Sequence, residues 1–275
     1  AGRGACGDPG AAAVTVSGRV AVVTGGGRGL GRAAALRFAA GGADVAVLAR
    51  STAEVEAVAE ELRATGVRAL GLAVDVTSTA EVERARDTVL NKFNRVDILV
   101  NNAGNLLYKP FVPLPGKEKA YPGFDRPVSD AEWQGVMDVH VGGAVRTLRA
   151  FGPALLDQRY GRVVNVVSNV VRRTVPFTTA YDTAKGALVQ LTRSLAREWA
   201  PYGVTVNAVA AGHFETAMSK AQFEDEETLR KLLRRVPARR AGELAEFAAL
   251  VVHLCGAESG FVTGETIGID GGETL

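Results

Sequence analysis

Short β-branched runs alternate with amphipathic stretches along most of this chain, and that alternation constrains its architecture more than any single motif. RVAVVT (19–24), ADVAVLARS (43–51), a run at 67–74 closing in Asp75 and Val76, and VDILVNN (96–102) read as strands. Helices are predicted between them over 52–65 and 78–94. Such alternation calls for a parallel, doubly wound sheet with right-handed crossovers, an α/β fold with helices on both faces. With 275 residues, 47% of them hydrophobic, the chain can build this as one large domain with a well-buried core. We expect that domain over 18–275, behind a flexible lead-in at 1–17.

The first strand runs into GGGRGLGRAAALRFAA, a glycine cluster opening into an alanine-rich helix. Exposed backbone N–H groups, the positive end of a helix dipole and missing side chains together make a phosphate site. Gly25, Gly29 and Gly31 follow T-G-x-x-x-G-x-G rather than G-x-G-x-x-G. The second strand should end beside an adenosine ribose, where a carboxylate would select NAD. Ala49 and Arg50 stand there instead, and Arg28 in the glycine loop can approach the same place. A charge-assisted hydrogen bond is worth roughly 1.5–3 kcal/mol, so the two arginines point to NADPH/NADP. Otherwise both are solvated surface groups. Asp75 is expected either to accept from the adenine amino group or to cap the helix that follows.

Further on, SNVVRRTVPFTTAYDTAK (168–185) places Tyr181 and Lys185 four positions apart, on one face of a helix. An ammonium beside a phenol favours the phenolate. Bringing a tyrosine from its usual pKa of about 10 to neutrality takes about 4 kcal/mol, more than one lysine is expected to supply, and an oxidised nicotinamide alongside would add positive charge. Ser168 ends the apolar run RVVNVVS, where its hydroxyl can bond the same substrate oxygen that the tyrosine protonates. Taken alone, a Y-x-x-x-K pair is more often an ordinary solvated one.

Composition excludes several classes. Thirty-two basic and 30 acidic side chains, interspersed, leave a net charge of +2 and no nucleic-acid footprint. Cys6 and Cys255 are too few and too far apart for a disulfide framework, which fits a reducing compartment. No apolar run approaches a membrane span and AGRGACGDPG lacks the apolar core of a signal peptide, so a cytoplasmic location is expected. No metal site is expected.

TGGGRGLG, Asp75-Val76, NNAG (101–104), Ser168, YDTAK (181–185) and the closing VTGETIGIDGG, in order over roughly 18–273, resemble the short-chain dehydrogenase/reductase superfamily. The resemblance implies a single Rossmann-type domain, usually a homotetramer or homodimer. It also implies Tyr181 as general acid/base, Lys185 lowering its pKa and holding the nicotinamide ribose, and Ser168 orienting the substrate oxygen. To the cofactor it assigns Gly25, Arg28, Gly29, Leu30, Gly31, Arg50, Ser51, Asp75, Val76, Asn102, Ala103, Gly104, Tyr181, Lys185, Gly212, Phe214 and Thr216.

Three stretches depart from the family pattern. His140 stands in DVHVGG where relatives carry a fourth catalytic residue, usually asparagine. An imidazole there can hold the water that links the lysine to solvent, and would titrate near neutrality; alternatively it only packs. Ala211-Gly212 replaces the usual Pro-Gly. Between Gly104 and Trp133 lie 29 positions, about twice the expected connection, and long loops of this kind tend to be functional. The inserted loop (105–130) follows a strand's C-terminal end. There Tyr108, Phe111, Tyr121 and Phe124, with five prolines, are expected either to wall a bulky apolar substrate or to pack on the protein itself. Tyr108, Phe111 and Val170, with Ser168 and Tyr181, form the expected substrate set. Arg172 and Arg173 are expected either to meet a polar part of the substrate or to be solvated, and charged helices over about 213–242 take the place of a mobile substrate lid.

The sequence thus points to an NADPH-dependent ketoreductase of a bulky, largely apolar ketone, such as an intermediate of polyketide or antibiotic biosynthesis. A 3-oxoacyl-thioester reductase or an alcohol or steroid dehydrogenase remains open. So does, from another class, a non-redox or regulatory NADPH-binding protein.

Overall fold

The computed structural model describes residues 16–275, so most of the expected lead-in lies outside the described residues. At its end, Val16 is buried within the domain at 2% exposure, with its carbonyl accepting from Arg19 N–H. Val16 and Ser17 are thus described together with the domain expected from residue 18.

Seven parallel strands form one sheet in the order β3-β2-β1-β4-β5-β6-β7: β1 (Val20–Thr24), β2 (Asp44–Ala49), β3 (Ala69–Ala73), β4 (Ile98–Asn101), β5 (Gly161–Ser168), β6 (Val204–Ala211) and β7 (Thr266–Ile269). The apolar runs of β1, β2, β4, β5 and β6, buried along their length, suit a sheet covered on both faces. Helices α1 (Gly29–Ala40), α2 (Thr52–Arg63) and α9 (Leu244–Cys255) pack one face around Phe38, Leu62 and Phe247. Helices α3 (Thr79–Phe93), α5 (Gly143–Asp157) and α6 (Thr179–Trp199) pack the other around Leu99, Phe151 and Leu188. The chain order reverses between β1 and β4, which opens a crevice at the carboxyl ends of the strands.

Two local features shape that edge. Helix α4 (Asp130–Met137) starts with a Ser129–Glu132 capping box and runs into a wider, π-helical turn at Asp138–Gly142, which carries His140 inward. A polar chain crosses the core: Thr147 donates to Asn101 Oδ1 at 2.6 Å, Asn101 to Asn165 Oδ1 at 2.9 Å, and Asn165 to Thr192 Oγ1 at 2.9 Å. These bonds tie α5, β4, β5 and α6 together beneath the site. Residues 213–242 hold α7 (Lys220–Glu224) and α8 (Glu226–Leu233). Among the described residues, no helix is long and apolar enough to cross a membrane.

Candidate active site

β1 ends in a turn that only glycine can make. Gly25 and Gly29 have φ of +62° and +54°, and a Cβ on Gly31 would stand 2.2 Å from the Gly25 carbonyl oxygen. Helix α1 then begins with no side-chain cap and no acidic residue in its first turn, leaving its N–H groups to an anion. Beside it opens a cleft of about 410 Å³. Of the residues assigned to the cofactor from sequence, all line this cleft except Gly31, Gly212, Phe214, Tyr181 and Lys185.

Several of them have structural duties. Asn102 Nδ2 donates to the carbonyls of Thr24 and Gly25, both at 3.1 Å, so its amide braces the glycine loop. Gly104 makes room for the His140 ring, since a Cβ there would lie 2.5 Å from Cε1. Thr216 comes back over Gly29, its Cγ2 3.3 Å from where a Cβ would be. Gly212 packs on the tail, where a Cβ would meet Asp270 Cα at 2.7 Å. The Phe214 ring is buried in the core against Phe247, so only its backbone is left to meet a ligand. The helix-cap alternative for Asp75 is corrected too. Ser78 caps α3, while Asp75 accepts from the N–H and hydroxyl of Thr77 at 2.9 and 2.8 Å. Those bonds and the charge of Arg50 hold its carboxyl below the usual range, against the opposing effect of burial.

At the next strand ends, Ser168 closes β5 and Tyr181 lies in the first turn of α6. The serine hydroxyl donates to Asn169 Oδ1 at 3.2 Å and accepts from Val170 N–H at 3.4 Å. One helical turn past the tyrosine, Lys185 is 4% exposed and donates from Nζ to the Val166 carbonyl at 2.7 Å. That ammonium lies 5.5 Å from the Tyr181 ring centroid. Burial pushes the lysine down to about 7 and the phenol up to about 12, with a Ser168 hydrogen bond pulling the phenol back. In the protein by itself, then, burial holds the phenol above its ordinary value, as expected where a lysine has no oxidised nicotinamide beside it.

His140 packs edge-on against Tyr181, ring centroids 5.3 Å apart, with Nε2 2.8 Å from the Asn105 carbonyl oxygen and Nδ1 buried without a partner. Burial, and secondarily the charge of Lys185, push it down to about 3. The expected titration near neutrality is corrected; this imidazole is neutral throughout the physiological range.

The inserted loop does not form one wall. Tyr108, Tyr121, Phe124 and Phe177 cluster with centroids 4.9–5.8 Å apart around the buried Phe124, whereas Phe111 leans on Trp133 instead. Tyr108 and Phe111 stay 43% and 57% exposed, so part of each ring is available to a ligand. Val170 is buried at 7% exposure beside Ser168. Tyr181 packs, with Leu107, Trp133, Met137 and Val141, on a small buried cluster of Val136, Ala180 and Ala184.

Sequence reasoning missed two groups. Glu54 lines the cleft and pairs with Arg28, and Glu273 reaches the serine strand from the tail. Glu273, only 8% exposed, accepts from Asn169 Nδ2 at 2.7 Å and stands 2.9 Å from His213 Nε2. Arg173 and Arg235 lie 3.7 and 3.9 Å from its other oxygen. Arg172 donates to the Thr266 carbonyl at 2.7 Å. Both loop arginines thus have partners within the protein. A glutamate in a glycine-rich tail carries no periodic signal, and only the fold brings it here.

The family described as short chain dehydrogenase matches residues 19–227. Short-chain reductase protein NovJ of Streptomyces niveus is 37% identical over 258 residues, covering 92% of this chain and 93% of its own. The 3-oxoacyl-[acyl-carrier-protein] reductase FabG of Escherichia coli is 35% identical over 259 residues, 93% of this chain and 97% of its own. Among solved structures, a Pseudomonas aeruginosa RhlG/NADP active-site complex is similar with a TM-score of 0.84 and 30% identity, over 96% of this chain and 99% of that one.

Proposed function

The chain belongs to the short-chain dehydrogenase family and is an NAD(P)-dependent oxidoreductase, and from that premise we propose that it is an NADPH-dependent ketoreductase of a bulky, largely apolar ketone. The observation that carries this reading is the meeting of Ser168, Tyr181 and Lys185 beside the dinucleotide cleft, with the phenol held protonated.

The glycine turn and the bare N-terminus of α1 suit a pyrophosphate, and Asp75 and Ala103 lie where a nucleotide would extend along the cleft. When bound, the reduced nicotinamide supplies the hydride. Ser168 turns its hydroxyl from Asn169 to the ketone oxygen, fixing the carbonyl beside Tyr181. Tyr181 donates its proton as negative charge develops on that oxygen. A phenol pushed up to about 12 is a donor at neutral pH, which suits reduction. Lys185 is anchored to the Val166 carbonyl and helps the phenol by taking up a proton from solvent, for which a value of about 7 poises it. His140, neutral and wedged between Gly104 and Tyr181, holds the ring of Tyr181 in place rather than exchanging protons. The apolar side chains around Tyr181 and the exposed faces of Tyr108 and Phe111 favour an apolar substrate, and a homotetramer is the expected assembly.

A second reading, reduction of a 3-oxoacyl thioester, draws support from the similarity to FabG. NADPH oxidation against ketones running from acetoacetyl thioesters to fused-ring aromatic ketones separates the two. We expect turnover on the bulky ketones, lowered roughly a thousandfold or more in Tyr181→Phe. Turnover confined to the thioesters would favour the second reading, and undiminished turnover in Tyr181→Phe would remove the mechanism.

A further inference from the structure

Both arginines that select NADP in the sequence face a carboxylate in the structure. Arg50 lies close enough to Asp75 to favour its charged form. Arg28 Nη1 stands 3.4 Å from Glu54 Oε1. Glu54 also leans over the glycine loop, where a Cβ built on Gly27 would lie 3.0 Å from both its Cβ and its Oε2. Its place is set locally: Ser51 caps α2 and accepts the Glu54 N–H at 3.3 Å, locking this residue above the loop. Arg28, Arg50, Glu54 and Asp75 all line the cleft, and their formal charges cancel.

A 2′-phosphate brought here would add about two negative charges beside Glu54. A 2′-hydroxyl would instead offer that carboxylate a donor. The Arg28–Glu54 pair is well exposed, with 66% and 38% of the side chains accessible, and such pairs are weak enough to rearrange around a ligand. Arg28 is thus shared rather than lost to a phosphate.

We propose that Glu54 is a cofactor-specificity residue: its carboxylate competes with a 2′-phosphate for Arg28 and favours a 2′-hydroxyl, so the chain accepts NAD(H) as well as NADP(H). The proposal rests on the reading of the cleft as the dinucleotide site.

Calorimetric titration with NADP⁺ and NAD⁺ tests it on the intact chain without a ketone. In the unaltered protein the two dissociation constants should lie within about tenfold of each other. In Glu54→Gln, which keeps the size and an acceptor for Arg28, the preference for NADP⁺ should rise about tenfold, chiefly through tighter NADP⁺ binding and most strongly at low salt. Adding Arg28→Ala to Glu54→Gln should cancel most of that gain. A residue that only serves the first turn of α2 would shift the melting temperature and leave the preference unmoved, and that result overturns the proposal. So does weaker NADP⁺ binding in Glu54→Gln, or a preference beyond about a thousandfold in the unaltered chain. If neither dinucleotide binds the unaltered chain, the reading of the cleft fails and the proposal falls with it.

Discussion

Lys185 carries its amine in a site where burial drives it toward the neutral form, about 7 in the fold against 10.5 as its ordinary value. Between those values the unfolded chain holds the extra proton, so this group makes the fold more stable as pH rises from 7 toward 10.5. In Lys185→Met the urea midpoint should therefore rise less between pH 7 and pH 9 than in the parent, while turnover falls roughly a thousandfold. His140 is depressed in the same sense, to about 3 from 6.5. Its neutral ring favours the fold above 6.5, and that advantage is lost as pH falls toward 3. Acid unfolding followed by fluorescence between pH 6.5 and 4.5 should be shallower in His140→Asn, which also removes the unpartnered Nδ1. The sequence placed Tyr181, Lys185 and Ser168 correctly relative to one another because helical spacing and a strand end determine that geometry. Their ionisation was not legible there, because the burial that shifts the phenol, the ammonium and the imidazole comes from the packing of the whole fold.

The strands and helices were legible in the sequence to within a few residues, because β-branched runs and apolar periodicity act locally: 43–51 was expected and Asp44–Ala49 formed. The π-helical turn at Asp138–Gly142 and the anchoring of the insert were not. Lys109, near the start of the insert, is 4% exposed and donates to both oxygens of Glu132, at 3.0 and 2.8 Å. Its backbone N–H also bonds the Phe177 carbonyl at 2.7 Å, tying the insert to the segment before α6. Glu132 is held down to about 2, first by Lys109 and then by the Ser129 backbone, and so is ionised at any working pH. Glu132→Gln would leave a buried ammonium facing a neutral amide while keeping an acceptor for the Ser129 N–H of the capping box. Limited proteolysis should then cut within 105–130 roughly tenfold faster, with little change in the melting temperature of the sheet. Unchanged cleavage would mean that the aromatic cluster around Phe124 holds the insert without the ion pair.

Across the whole molecule, the cleft spans two halves of the sheet that meet where β1 pairs with β4. The glycine loop, Arg50 and Asp75 belong to the β1–β2–β3 side, while Ala103 and Gly104 follow β4 and Thr216 follows β6 on the other. Thr24 Oγ1 already accepts from Asn102 and Ala103 N–H at 3.0 and 3.1 Å across that divide. A dinucleotide spanning the cleft adds its binding energy to the folded state alone. At a hundred times its dissociation constant it contributes about 2.7 kcal/mol, enough to raise the melting temperature of a domain this size by about 5 °C. NADP⁺ should therefore shift the melting curve and slow hydrogen exchange in both halves together, in the glycine loop and in the 212–219 segment that Thr216 lays over Gly29. Gly29→Ala, strained by its φ of +54° and crowded by Thr216, should lose most of the shift, because the loop and its cover can no longer close on the same phosphates. Protection limited to the β1–β2–β3 half would show that the cofactor is held by the loop alone and that Thr216 takes no part.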